Sequence, residues 1–151
     1  MLLVEIVPDV WIGDINILPQ FIKEKNIKYI INCQEDLAFF GRSRDYIESI
    51  KGSMMHKEIK ALYKYLYQMT QHIHQNIRKG EPILVVCQTG FKKAPLLLIG
   101  YLIRYGHMSL DKALSAINTK VHQKIILSQL DKIGIQFFQQ EIASQLNSDI
   151  T

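Results

Sequence analysis

Cys87, Gly90 and Lys93 fall within seven positions of one another in ILVVCQTGFKKAPLLLIG, residues 83–100, and their types suit a phosphate site. An apolar, β-branched run ends at Cys87, and a short stretch follows: Gln88, Thr89, Gly90, Phe91, Lys92, Lys93. A segment of helical character begins directly after it. Successive backbone N–H groups in so tight a loop form a concave anion nest, and a helix N-terminus adds positive potential. A cysteine at the mouth of such a nest has a depressed pKa and carries thiolate at neutral pH. A thiolate facing a cradled phosphate is a nucleophile aimed at phosphorus. A cation at a helix start opposes the dipole unless an anion is bound. Lys93 therefore reads as phosphate-facing, whereas the Lys92 side chain reads as solvent-facing.

The elements that must hold this loop are legible around it. Residues 1–7 and 10–12 predict two short strands broken at Pro8 and Asp9. Residues 16–25 predict a short helix with Pro19 in its first turn. KYIINC, residues 28–33, predicts a buried strand. Residues 41–52 read as charged and irregular, with an edge strand at 46–50 as one option. Apolar residues at helical spacing run through 56–79 and stop at Gly80. PILVV, residues 82–86, predicts a strand covered on both faces. Helices are predicted over 91–105, over about 109–118 with Ser109 as cap, and over 123–146 with a relaxed point at Gly134. Strands alternating with helices, then helices alone, predict an α/β fold: a central, mostly parallel sheet with helices on both faces. Residues 1–146 read as one domain and 147–151 as a short flexible tail.

The loop resembles that of the cysteine-dependent protein phosphatases, in which His-Cys is followed by five residues and Arg-Ser/Thr, and it is closest to the dual-specificity branch. The resemblance extends outward. VWIG, residues 10–13, is similar to the family's early LYLG strand, and residues 27–33 to its ITHVIN strand. Gly80 and residues 83–86 resemble the approach to the cysteine, and Tyr101, Leu102 and Ile103 resemble the AYLM stretch behind the loop. Leu110, Ala113, Ile117, Gln129 and Leu130 fit the later helices, so the likeness covers residues 7–140. It implies the cysteine-phosphatase fold, with Cys87 as nucleophile and no cofactor or metal.

The departures bear on function. The family's arginine falls on Lys93, its Ser/Thr on Ala94 and its histidine on Val86. Arginine holds two phosphoryl oxygens with a planar fork, whereas lysine is a point charge on a flexible stem. Losing a preorganised contact of this kind costs about 10²–10³ in rate. The family's hydroxyl stabilises the thiolate as it leaves the phosphocysteine, and Ala94 has none. The family's general acid, worth about 10²–10⁴, is an aspartate some thirty residues before the cysteine. Here that stretch, residues 51–58, reads KGSMMHKE and holds no aspartate. Asp45 lies too far upstream; His56 and Glu58 are the candidate substitutes, and Glu58 begins the long helix.

The resemblance also marks Cys33 and Cys87 as candidates for a reversible redox pair, because some relatives carry a cysteine on the neighbouring strand. A core cysteine is the plainer reading of Cys33. His72 and His74 stand two apart on a helix and face different sides, so they make no metal pair. His107 and His122 lie near helix starts without a fixed relation to the loop. Trp11 and the tyrosines of 63–67 read as packing, and Arg42 to Asp45 as a solvated loop.

With 151 residues, 48% of them hydrophobic, the chain can bury a core without disulfide or metal staples. The longest apolar stretch, residues 94–103, stops at Arg104 and is too short for a membrane span. No basic flank precedes residues 1–7, so they do not read as a secretory signal. Two cysteines form no disulfide framework, and a reducing, intracellular, cytoplasmic setting is expected, with nucleus and virion left open. The net charge of +4 permits an anionic partner without demanding one. Three functions remain: a pseudophosphatase binding a phosphoprotein or other phosphorylated ligand, a slow phosphatase using Cys87, and an RNA-binding or RNA 5′-phosphatase-like protein drawing on Lys92, Lys93 and Lys124. Oligomeric state is left open.

Overall fold

The structure is a computed structural model that describes residues 3–14, 18–33, 38–42, 59–87, 93–122 and 124–150. Strands β1 (Leu3–Val7) and β2 (Val10–Asp14) form a hairpin around Pro8 and Asp9. Asp9 adopts a left-handed φ of 69°, and its N–H donates to Glu5 Oε2 at 3.0 Å. Helix α1 (Leu18–Glu24) leads to β3 (Tyr29–Cys33), which pairs with β4 (Ala38–Arg42). The long helix α2 (Ile59–Arg78) precedes β5 (Ile83–Cys87), and three helices follow: α3 (Lys93–Gly106), α4 (Leu110–Val121) and α5 (Gln129–Ile150).

The sheet order is β1-β2-β5-β3-β4, with β5 at the centre. β5 runs parallel to β2 and to β3, while the outer pairs β1–β2 and β3–β4 are antiparallel. The sheet is therefore mixed: its three central strands are parallel, as expected, and each outer strand runs antiparallel to its neighbour. The connections of the outer pairs are too short for a parallel crossover, so those strands must run back on themselves. β4 is an edge strand that the sequence did not indicate, and the edge strand considered at residues 46–50 lies outside the described residues.

Alternation along β5 divides the core. Ile83 and Val85 join the large cluster with Ile12, Ile31 and Cys33, covered by α2 to α5. Leu84 and Val86 face the other way, onto Phe21 of α1, Ile27 and Ile30. Leu84, Val85 and Val86 are at most 1% exposed, as a strand covered on both faces requires. Gly80, at φ 71°, closes α2: its N–H donates to Ile77 O, and Glu81 N–H reaches back to Asn76 O. That turn delivers the chain into β5.

Two helix expectations change. The last helix starts at Gln129, not 123, because Ser128 caps it through Asp131 N–H at 3.0 Å. The preceding stretch is extended: Ile125 and Leu127 are buried, Ile126 is exposed, and Asn118 Oδ1 accepts from Ile125 N–H. The same helix runs unbroken through Gly134 and on to Ile150, taking in residues expected as a tail. Gly134 is a packing device: a Cβ there would collide with Leu62 Cδ2 of α2.

Candidate functional site

Parallel strands β2, β5 and β3 end together at one edge of the sheet. Open α/β sheets bind ligands outside the carboxyl ends of such strands. Cys87 is the last residue of the central strand. Lys93 is the first residue of α3, a 14-residue helix with no acidic residue in its first turn. The strand and the helix expected on either side of the loop are thus both present. The turn itself, Gln88, Thr89, Gly90, Phe91 and Lys92, lies outside the described residues, as do His56, Asp45 and Glu58.

One residue further out on each side, the chain is apolar and buried. Val86 is 0% exposed and packs with Leu84 and Phe21. Ala94 is 0% exposed at the start of α3. Neither side chain offers a hydrogen-bonding group to the turn, so any such support there must come from elsewhere.

The register brings in a residue that sequence reasoning missed. Asp14, the last residue of β2, pairs with Cys87. No local signal connects positions 73 apart, and only the parallel pairing of β2 with β5 makes them neighbours.

On the other side of β5, Asn32 of β3 pairs with Val86, so Cys33 and Cys87 are each the next residue on adjacent strands. Cys33 is buried and forms no disulfide. Its Sγ lies 3.0 Å from Tyr65 Oη of α2. Burial pushes the Cys33 thiol up to about 12, partly offset by the hydrogen bond to Tyr65. The Tyr65 hydroxyl is also raised well above its usual value, by burial first and by Cys33 second. Both groups are neutral at neutral pH, and Cys33 is a poor nucleophile in this setting.

The remaining histidines lie on or beside other elements. His107 follows the far end of α3, and His122 is the left-handed cap of α4. His72 and His74 lie on α2. Trp11 packs edge-on against Phe21 with centroids 5.4 Å apart, and Tyr65 is core, as expected of these aromatics. Among the described residues no cluster of His, Cys, Asp and Glu is arranged to hold a metal. No described helix is long and apolar enough to cross a membrane.

Comparison with known proteins follows the same line. The family profile described as "Dual specificity phosphatase, catalytic domain" matches residues 11–136. The chain is 33% identical over 63 residues to "Putative tyrosine phosphatase 123R" of Invertebrate iridescent virus 6. That match takes in 42% of this chain and spans 44% of the viral protein, less than half its length. The fold is similar to the crystal structure of PTPMT1, with a TM-score of 0.76 and 15% identity over 97% of this chain and 99% of that one. It is also similar to human DUSP28, with a TM-score of 0.71 and 14% identity over 93% and 95% of the two chains.

Proposed function

The chain belongs to the dual specificity phosphatase family, and from that premise we propose that it is a phosphate-binding member whose catalysis is lost or strongly reduced. On this reading it is a pseudophosphatase that holds a phosphorylated protein or another phosphorylated ligand at the Cys87 loop.

The observation that carries the reading is the start of α3. There Lys93 is followed by an alanine that is 0% exposed, at the positions where the family resemblance expects arginine and Ser/Thr. Lysine supplies charge for binding but lacks the fork that tightens on the transition state. Ala94 supplies no hydroxyl to the departing thiolate. Val86 removes the histidine that supports the loop. The stretch that should carry the general acid, residues 51–58, has no aspartate. Each loss acts on a different part of the reaction, so their effects on rate compound. Phosphate binding is spared, because a backbone N–H nest does not depend on side-chain identity.

A slow phosphatase is the second reading, and Cys87 at the end of the central parallel strand favours it. Cys87 would attack phosphorus, with Lys93 as charge partner and His56 as acid.

Alkylation of Cys87 tests occupancy of the loop. Inorganic phosphate and phenyl phosphate should each slow carboxymethylation of Cys87 by iodoacetate, and Gly90→Val should abolish the protection. Alkylation unaffected by either compound would remove the phosphate-binding reading.

A further inference from the structure

A second place in the molecule has the chemistry of an anion site. A cavity of about 440 Å³ opens between α2, α3 and α5. Tyr67 and His74 line it from α2, Arg104 and Tyr105 from the end of α3, and Ile142 and Gln145 from α5. His107, just past α3, is at its edge. Arg104 lies eleven residues beyond Lys93, about 16 Å along a helix that rises 1.5 Å per residue. The cavity is therefore distinct from the Cys87 loop.

Arg104 is held in a fixed pose. Its Nη1 donates to Tyr67 O at 2.7 Å and to Thr70 Oγ1 at 3.2 Å. Its guanidinium carbon lies 3.9 Å from the centre of the Tyr67 ring and 4.9 Å from that of Tyr105. Tyr105 also stacks with His74, at 4.0 Å and 7°. Four flat groups thus lie against one another, the guanidinium over both tyrosine rings. This fixes the plane of the fork and leaves its Nε–Nη2 edge without a hydrogen bond among the described residues. Among the described residues no carboxylate lines the cavity.

An arginine is almost never fully buried unless it is paired, and Arg104 is half-buried. Its five N–H groups match an oxoanion two at a time, and a guanidinium already immobilised loses little entropy on binding one. The nearby charges have the same sign: Arg78 and Arg104 both act on His74. The cavity is larger than a lone phosphate needs and is walled by tyrosines, so the anion has room to bring a small flat body with it.

We propose that this cavity is a second binding site, taking a phosphate or carboxylate group on a small organic body, with the Nε–Nη2 edge of Arg104 as its fork. It lies outside the family's reaction and does not depend on turnover at Cys87.

The test reads His74 and His107 by proton NMR, with assignments from His74→Gln and His107→Gln. Inorganic phosphate, phenyl phosphate and benzoate are titrated in turn. The expected result is a saturable shift of the His74 ring signal with phenyl phosphate and benzoate, several-fold tighter than with inorganic phosphate. Arg104→Lys, which keeps the charge but not the fork, should weaken binding about tenfold. Arg104→Met should abolish it; should that variant fail to fold, Arg104→Lys decides. No saturable shift with any of the three compounds would overturn the proposal. An unchanged affinity in folded Arg104→Lys would overturn the role of the fork. Equal affinities for inorganic phosphate and both aromatic anions would overturn the organic body.

Discussion

Cys33 Sγ and Tyr65 Oη, 3.0 Å apart and both buried, join the end of β3 to the middle of α2 directly beside the strand that carries Cys87. This pairing makes the two cysteines chemically unlike. One is a neutral thiol committed to a hydroxyl. The other ends the central strand, where the loop begins.

Thiol reactivity should divide accordingly. At pH 8 the folded protein should react with a disulfide reagent at one thiol per chain, and peptide mapping should place it at Cys87. Cys33 should react only after denaturation. Rapid labelling of Cys33 in the folded protein would contradict its burial and its raised pKa.

The same shift has a consequence at alkaline pH. The folded-state pKa of Cys33 is raised from 9.0 to about 12, so the unfolded chain loses this proton first. Its contribution to stability is fully present below pH 9 and declines as pH rises from 9 towards about 12. Cys33→Ala should flatten that decline in urea titrations across the window. An identical slope in the two proteins would show that Cys33 does not titrate as described.

Gly80 sets the entry to β5 and is placed where an L-residue is strained, at φ 71° with no atom within 4 Å of where a Cβ would sit. Gly80→Ala should therefore cost about 1 kcal/mol from backbone strain alone. Equilibrium unfolding in urea measures it, and a stabilised variant would contradict the left-handed turn.

Thr70 is fully buried; its hydroxyl donates to Leu66 O at 2.6 Å and accepts from Arg104 Nη1. Thr70→Val keeps the shape and removes both bonds. It should destabilise the fold by about 1–2 kcal/mol and loosen the pose of Arg104. The His74 ring signal should move with it, and an unmoved signal would show that Thr70 does not support that pose.

The part of the fold that the sequence made legible is the part built locally. The run of β-branched residues before Cys87 and the helix from Lys93 are each contiguous, so residue type and period were enough to read them. β4 escaped because AFFGR is short, carries a glycine and has no clear alternation. The mixed sheet followed from connection lengths that only the positions of β1 and β4 reveal. Gly134 looked like a helix weakness because its reason, the approach of Leu62, comes from another helix. Asp14 beside Cys87 and the grouping around Arg104 are assembled from segments distant in sequence, and no spacing rule reaches them.

The most direct measurement of the central claim is hydrolysis of a small aryl phosphate by five proteins: wild type, Cys87→Ser, Lys93→Arg, the double variant Lys93→Arg with His56→Asp, and that double variant with Cys87→Ser added. The account predicts turnover near background for wild type and Cys87→Ser alike. It predicts measurable turnover on restoring the arginine and the acid together, lost again when Cys87→Ser is added. Wild-type turnover well above background that vanishes in Cys87→Ser would contradict it and establish the chain as an active phosphatase.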